Sequence, residues 1–172
     1  NEVSACWQAI IERRRPAGLL LSRQNLPVVD RSTYAPADLA RRGAYVISEA
    51  SPSPEAIIIA TGSEVAIALD AQGQLAAKGI AARVVSMPCW EWFAEQPAEY
   101  RESVLPRAIR ARVSIEAGVA MGWREFVGEQ GEIVSIEHFG ASAQYTQLYE
   151  LFGLTAAAVV AATEKSLAAV RA

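Results

Sequence analysis

Short apolar runs alternate with longer amphipathic stretches from residue 55 to the end of the chain. Ala56–Ala60 contains only alanine and isoleucine, which is typical of a strand buried on both faces. The pattern predicts four strands, at residues 56–60, 82–87, 112–117 and 132–137. Helices are predicted at residues 65–78, 90–105, 143–152 and 156–170, with a short one around Trp123 and Phe126. We therefore predict an α/β fold: a mostly parallel open sheet with helices on both faces.

The first 54 residues follow a less regular pattern. Residues 1–15 have apolar positions at helical spacing, and Pro16 ends the predicted helix. A short buried strand is predicted at residues 18–22, a helical turn at 35–40 and a further strand at 43–48. Because one helix and one strand cannot enclose a core, we expect residues 1–27 to be a helix–strand remnant of another α/β domain. We predict a linker at residues 28–54, which contain three prolines, and a complete domain at residues 55–172.

Composition and charge exclude several classes of protein. Hydrophobic residues make up 52% of the chain and charged residues 20%, which excludes global disorder. The net charge of −3 argues against nucleic acid or an anionic membrane as a partner. The charge is uneven, since residues 1–42 contain seven basic and four acidic residues and residues 43–172 contain nine and fifteen. The first part is therefore the better place for an anionic ligand.

Cysteine and histidine are too few for a zinc site. Cys6 and Cys89 lie far apart and form no CxxC pair, and His138 is the single histidine. The chain has no signal-peptide pattern and no apolar run of about 18 residues. We expect a cytoplasmic protein with reduced thiols and no membrane partner.

Arg23 is the strongest candidate for binding chemistry. It follows the predicted strand at residues 18–22, and open α/β sheets bind ligands at the carboxyl ends of their strands. A guanidinium group forms two parallel hydrogen bonds to a phosphate or carboxylate. The alternative is that Arg23 bridges two domains at the linker.

Other polar positions are predicted to be structural. The turn Thr61–Glu64 lacks the glycines and lysine of a phosphate loop, and Glu64 would repel an anion there. His138 has no hydrolase motif near it. Glu116 and Glu137 end neighbouring strands and are expected to accept backbone N–H groups at helix starts. The arginines between residues 101 and 112 alternate with acidic residues, which indicates a solvated face.

Seven short stretches of the chain resemble one enzyme family. They are Leu19–Pro27 (with Ser-Arg-Gln-Asn at its centre), Arg42–Val46, Ala60–Val65, Val85–Pro88, Val113–Gly118, Phe139–Ala143 and Leu148–Thr155. In this order they resemble the C-terminal part of transketolase and extend over essentially the whole chain. Gln144 stands where the family is expected to have proline. By this resemblance residues 1–27 are the tail of the middle, pyrimidine-binding domain, and residues 55–172 are the C-terminal domain.

The resemblance implies a function for the longer enzyme. Transketolases transfer a two-carbon ketol unit between sugar phosphates, using thiamine diphosphate and Mg²⁺, and act as homodimers. The arginine of Ser-Arg-Gln-Asn binds the sugar phosphate in the family, so the resemblance assigns this role to Arg23. The family's Gly-Asp-Gly metal motif is absent from this chain, and its C-terminal domain is not expected to supply catalytic residues. The chain alone is therefore expected to bind no cofactor and to be inactive.

Two alternatives stay open at this point. The chain resembles, less closely, related thiamine diphosphate enzymes such as deoxyxylulose-phosphate synthase or a keto-acid dehydrogenase subunit. A non-enzymatic α/β dimerisation module is the second alternative. The Ser22–Asn25 motif favours transketolase over both.

Overall fold

The computed structural model describes residues 1–172, and its regular elements follow the predicted alternation of strands and helices. They are α1 (Glu2–Arg13), a 3-10 turn (Ala37–Arg42), β1 (Tyr45–Ser48), β2 (Ala56–Ala60), α2 (Glu64–Ala77), β3 (Ala82–Ser86), α3 (Trp90–Ala94), α4 (Ala98–Val104), β4 (Arg112–Ile115), α5 (Arg124–Val127), β5 (Glu132–Val134), α6 (Tyr145–Leu151) and α7 (Ala156–Arg171).

Five strands form one sheet in the order β1-β3-β2-β4-β5. Strands β2 to β5 run parallel, and β1 pairs antiparallel with β3 at one edge. Ile58 of the central strand β2 lies between Val84 of β3 and Val113 of β4. All five residues of β2 are buried, as its continuous apolar run predicts for a strand covered on both faces. The predicted fold class is confirmed.

Two hydrophobic layers cover the sheet, one on each face. On one face Ile58 packs in a cluster that includes Leu75 of α2 and Val159 of α7. On the other face Ile57 packs in a cluster with Trp123 and with residues of α3, α4 and α5. Because successive strand residues point to opposite faces, the run in β2 supplies both layers.

Helix α1 packs against the 3-10 turn and the β1 edge of the sheet. Cys6 and Ala9 are its buried residues. The Glu2 carboxylate accepts hydrogen bonds from the Tyr45 hydroxyl and, at 2.7 Å, from the Ser86 hydroxyl. Three large apolar side chains of α1 are more than half exposed: Val3, Trp7 and Ile11. Polar contacts therefore tie the start of α1 to the sheet, while an apolar stripe faces solvent.

The predicted strand at residues 18–22 is wrong for this chain. These residues form no strand, and Leu20 is 94% exposed and Leu21 60% exposed. A strand needs a neighbour for its N–H and C=O groups, and no strand of the chain runs beside this segment. The apolar run Leu19–Leu21 therefore has strand composition without a sheet to join.

The predicted linker, residues 28–54, packs on the sheet. The strand predicted at residues 43–48 forms as β1 and joins the sheet. Arg31 donates hydrogen bonds to the Ala35 carbonyl at 2.6 Å and to the Tyr45 hydroxyl at 3.0 Å. The division of the chain at residues 27 and 54 stays a prediction.

The stretch Tyr145–Arg171 is long and apolar enough, by length and composition alone, to cross a membrane. In the structure it consists of two helices, α6 and α7, joined by a turn in which Gly153 has φ 73°. The Thr155 hydroxyl accepts the Ala158 N–H and caps α7. Val159 and Leu167 of α7 lie in the domain core, so this helix is explained as a core element.

Candidate functional site

Arg23 lies on the surface, in the segment that follows the unpaired residues 18–22. Its guanidinium group forms no ion pair and no hydrogen bond with the chain, so all five N–H groups are available to a ligand. The residue before it does have a contact: the Ser22 hydroxyl lies 3.3 Å from the Ser63 hydroxyl. Ser63 stands between β2 and α2, so the Arg23 segment lies at the carboxyl end of the central strand.

The turn Thr61–Glu64 brings a carboxylate into the interior at this edge. Glu64 is 3% exposed. One carboxylate oxygen accepts hydrogen bonds from the Ser63 and Tyr149 hydroxyls, both at 2.7 Å, and the other accepts the Ala117 N–H at 3.1 Å. Ser63 occupies the N-cap position of α2, as predicted, but its hydroxyl makes no capping hydrogen bond. A carboxylate here repels anions, which supports the structural interpretation of the turn.

Tyr149 connects helix α6 to the same edge. Burial raises the pKa of Tyr149 to about 12, and its hydrogen bond to Glu64 acts in the same direction. Ser63 and Gln24 act against this rise through their side chains. Gln24 is half-buried, and Ser22, the residue before Arg23, contacts the Ser63 hydroxyl of this pair. Sequence reasoning did not identify Tyr149, because residues 64 and 149 are far apart in the chain.

Glu116 and Glu137 each have their own donors and form no shared site. Glu137 accepts the Ala120 N–H at 2.7 Å, as predicted, and the Ser135 hydroxyl at 2.7 Å. The Ser135 hydroxyl is the main reason that the pKa of Glu137 is lowered. Glu116 accepts the indole N–H of Trp123 at 2.7 Å, so the expectation of a backbone donor is wrong for this residue. A buried Trp needs a partner for its N–H, and Glu116 provides it.

His138 has a structural setting. Its ring is exposed, packs edge-on against Phe152 with 4.6 Å between the ring centroids, and lies with Nδ1 2.8 Å from the Phe139 carbonyl oxygen. The chain has no group of three or more His, Cys, Asp or Glu side chains that could hold a metal ion. The candidate site is therefore the Arg23 segment alone.

A groove of about 530 Å³ lies beside α3 and α4, on the opposite face of the sheet from α2. Arg112 is one of its lining residues, and its guanidinium group donates to four backbone carbonyls, those of Leu105, Pro106, Ile109 and Phe126, at 2.8–3.1 Å. The predicted solvated face is therefore wrong for Arg112, which ties a loop to β4. Its donors are used within the chain, so the groove lacks a free cation at this position.

The fold and the site together define an α/β domain with an arginine segment at the carboxyl edge of its sheet. The family model described as "Transketolase-like TK C-terminal domain" matches residues 43–155. A transketolase of Mycobacterium tuberculosis is 50% identical over 175 residues, which cover 97% of this chain and 25% of that protein. A solved structure of a transketolase variant from Pichia stipitis is 33% identical, covers 98% of this chain and 24% of its own, and has a TM-score of 0.86.

These matches show that the chain belongs to the transketolase family and carries its C-terminal domain. The chain spans about a quarter of the length of these relatives. A further similar structure is described as "Split gene transketolase, inactive beta4 tetramer". It is 29% identical, covers 73% of this chain and 42% of its own, and has a TM-score of 0.58.

Proposed function

We propose that this chain is the C-terminal part of an enzyme that transfers a two-carbon ketol unit from a ketose phosphate to an aldose phosphate. The matches to transketolases over 97–98% of the chain support this activity. They favour it over deoxyxylulose-phosphate synthase, a keto-acid dehydrogenase subunit and a non-enzymatic dimerisation module. We propose a cytoplasmic homodimer as the active form, completed by the N-terminal and middle domains.

Within this enzyme, Arg23 binds the phosphate group of the sugar. The observation that carries this proposal is an exposed guanidinium with no partner in the chain, next to Ser22, whose hydroxyl contacts Ser63 at the carboxyl edge of the sheet. A phosphate dianion and a guanidinium form paired, charge-assisted hydrogen bonds. The uneven charge agrees with this role, because the basic residues are in excess only in the first part of the chain.

Thiamine diphosphate and Mg²⁺ are the proposed cofactors of the whole enzyme, and the thiamine ring supplies carbanion chemistry when bound. The residues of this chain do not fit that group. Glu64, Glu116 and Glu137, the carboxylates near the carboxyl edge, are occupied by hydroxyl or N–H donors within the chain. We therefore propose that both cofactors bind outside this chain and that the chain alone is inactive.

Replacing Arg23 tests the proposed role. In the full-length enzyme, Arg23→Ala should raise KM for phosphorylated sugars by about 30- to 1000-fold, since losing such a charged contact costs about 2–4 kcal/mol. KM for an unphosphorylated ketose should change little. Arg101→Ala is a matched control, because Arg101 lines the groove beside α3 and α4. Equal effects of Arg23→Ala on both substrates would refute phosphate binding.

A further inference from the structure

The Arg23 segment has no backbone anchor of its own. Residues 16–28 form no helix or strand, and no backbone–backbone hydrogen bond joins them to the rest of the chain. Leu20, Leu21 and Val28 are at least 60% exposed, so apolar packing also holds this segment weakly. Leu19 packs against the core, and the contacts nearest to Arg23 are made by side chains next to it.

Those side chains lead to the buried carboxylate of Glu64. On one side of Arg23, the Ser22 hydroxyl lies 3.3 Å from the Ser63 hydroxyl, which donates to Glu64 at 2.7 Å. The Tyr149 hydroxyl also donates to Glu64 at 2.7 Å, and it lies 3.3 Å from the Ser63 hydroxyl. Ser22 thus contacts one of two neighbouring hydroxyls that both point their protons at the same carboxylate.

The Glu64 carboxylate fixes the direction in which the Ser63 and Tyr149 hydroxyl groups point. Glu64 forms no ion pair, and its charge is balanced by two O–H groups and the Ala117 N–H. An ionised carboxylate only accepts, so the Ser63 and Tyr149 protons point inward, and the Ser63 oxygen keeps a lone pair that accepts the Ser22 hydroxyl proton. The buried carboxylate of Glu64 therefore makes the Ser63 oxygen a hydrogen-bond acceptor for the Arg23 segment.

We propose that Glu64, Ser63 and Tyr149 are positioning residues that hold the segment carrying Arg23 in the orientation that binds the sugar phosphate. This inference rests on the proposed role of Arg23 and assigns a task to the C-terminal domain, which supplies all three residues. Without these contacts the segment would become ordered only when the substrate binds. The conformational entropy that it then loses would weaken binding of the phosphate. The loss should appear in KM for phosphorylated sugars, with kcat unchanged.

Tyr149→Phe is the most direct test, because it removes one hydroxyl and keeps the ring. In the full-length enzyme we expect KM for a phosphorylated ketose to rise about 3- to 10-fold, with kcat and KM for an unphosphorylated ketose unchanged. Tyr100→Phe is the matched control. Its hydroxyl is also half-buried and donates to the Ala44 carbonyl at 2.9 Å, but on the opposite face of the sheet.

A second pair of variants gives a rescue. Ser63→Ala should reproduce the rise in KM, whereas Ser63→Thr keeps the hydroxyl and should restore the wild-type value. Tryptic cleavage after Arg23 supplies a readout that is independent of activity. We expect faster cleavage there in Tyr149→Phe and Ser63→Ala, and wild-type cleavage in Ser63→Thr and Tyr100→Phe.

The outcomes separate this inference from the role of Arg23. If Arg23→Ala affects phosphorylated sugars selectively while Tyr149→Phe and Ser63→Ala change neither KM nor tryptic cleavage, the positioning role is wrong and phosphate binding stands. If Arg23→Ala affects both classes of substrate equally, phosphate binding is wrong. The positioning role for phosphate binding then fails with it, even if the cleavage data still show that Ser63 and Tyr149 anchor the segment.

Discussion

The sheet domain and the opening segment of this chain are held in place by different forces. Strand β2 is buried on both faces, and its residues pack against helices on each side. Helix α1 buries only Cys6 and Ala9, and polar contacts such as Glu2 with Tyr45 and Ser86 add to its attachment. Burial of apolar surface is the larger and less specific force, whereas the polar contacts set position. Apolar burial therefore supplies most of the stability of the sheet domain, whereas polar contacts determine where the opening segment lies on it.

The side chains that are more than half exposed show the same contrast. Val3, Trp7 and Ile11 form an apolar stripe at helical spacing along α1, and Leu20 and Leu21 are exposed as well. Such side chains are normally covered, and a contiguous exposed patch marks a contact surface. In the whole enzyme that we propose, the rest of the middle domain would cover this stripe.

The largest expected effect is in the sheet domain. Ile58→Ala should destabilise the 172-residue chain by about 2–5 kcal/mol, because Ile58 is fully buried between β3 and β4 and beneath α2 and α7. Urea unfolding followed by circular dichroism measures this as a lower midpoint with an unchanged slope.

The milder change Ile58→Val serves as its control. It removes one methyl group and should cost about 1 kcal/mol. A cost of less than 1 kcal/mol for Ile58→Ala would mean that the central strand is not the tightly packed layer described above.

A smaller effect is expected from the ion pair between Glu49 and Arg83. Both Arg83 nitrogens that face Glu49 donate to it, at 3.0 and 2.7 Å. Burial pushes the pKa of Glu49 upward, but the hydrogen bonds from Arg83 and Ala50 outweigh burial, and the pKa is lowered. A lowered pKa stabilises the folded state above the ordinary glutamate pKa, and this stability is lost as the pH falls below about 4.5. Glu49→Gln should cost about 0.5–1 kcal/mol at pH 7 and should flatten the acid side of the stability profile.

The ion pair between Arg13 and Glu95 provides the comparison, because it joins the opening segment to the sheet domain. Glu95 pairs with Arg13 of α1 at 2.6 Å, and that hydrogen bond is the main reason that the pKa of Glu95 is lowered. The sign of its pH dependence is the same, but Glu95 receives one hydrogen bond from its arginine where Glu49 receives two, and Arg13 is more exposed than Arg83, so solvent screens this pair more. Urea unfolding at pH 3 to 7 should therefore show a loss in Glu49→Gln and almost none in Glu95→Gln. An equal loss in both variants would contradict the difference that we draw between the two regions.

The same contrast explains which parts of the fold were predictable. The strand at residues 56–60 was predicted correctly because the elements that bury it are all within the chain. The equally apolar run at Leu19–Leu21 misled the prediction, because composition reports the tendency to form a strand and not the presence of a neighbour. The solvated face predicted for the arginines between residues 101 and 112 is wrong only for Arg112, because four backbone carbonyls take its donors.

The candidate site was predictable only in part. Arg23 was identified from its place after an apolar run and from the Ser-Arg-Gln-Asn motif, both of which are local. The link between Glu64 and Tyr149 joins residues 85 positions apart. Nothing in the local sequence indicates that Glu64 is buried, since an acidic residue in the first turn of a helix is ordinarily explained by the helix dipole.

The smallest effect is expected on the exposed stripe of α1. Trp7→Ala should change the stability of the 172-residue chain by less than about 0.5 kcal/mol, because the ring is 57% exposed and truncating it leaves no cavity. In the longer enzyme that we propose, the same change should cost several times more, since the ring would then be covered. Ala9→Gly on the buried face of α1 is the control, and it should destabilise both forms by about 1 kcal/mol. If Trp7→Ala destabilises the short chain as much as the long one, the stripe is part of this domain's own packing, and the proposed contact with the middle domain is wrong.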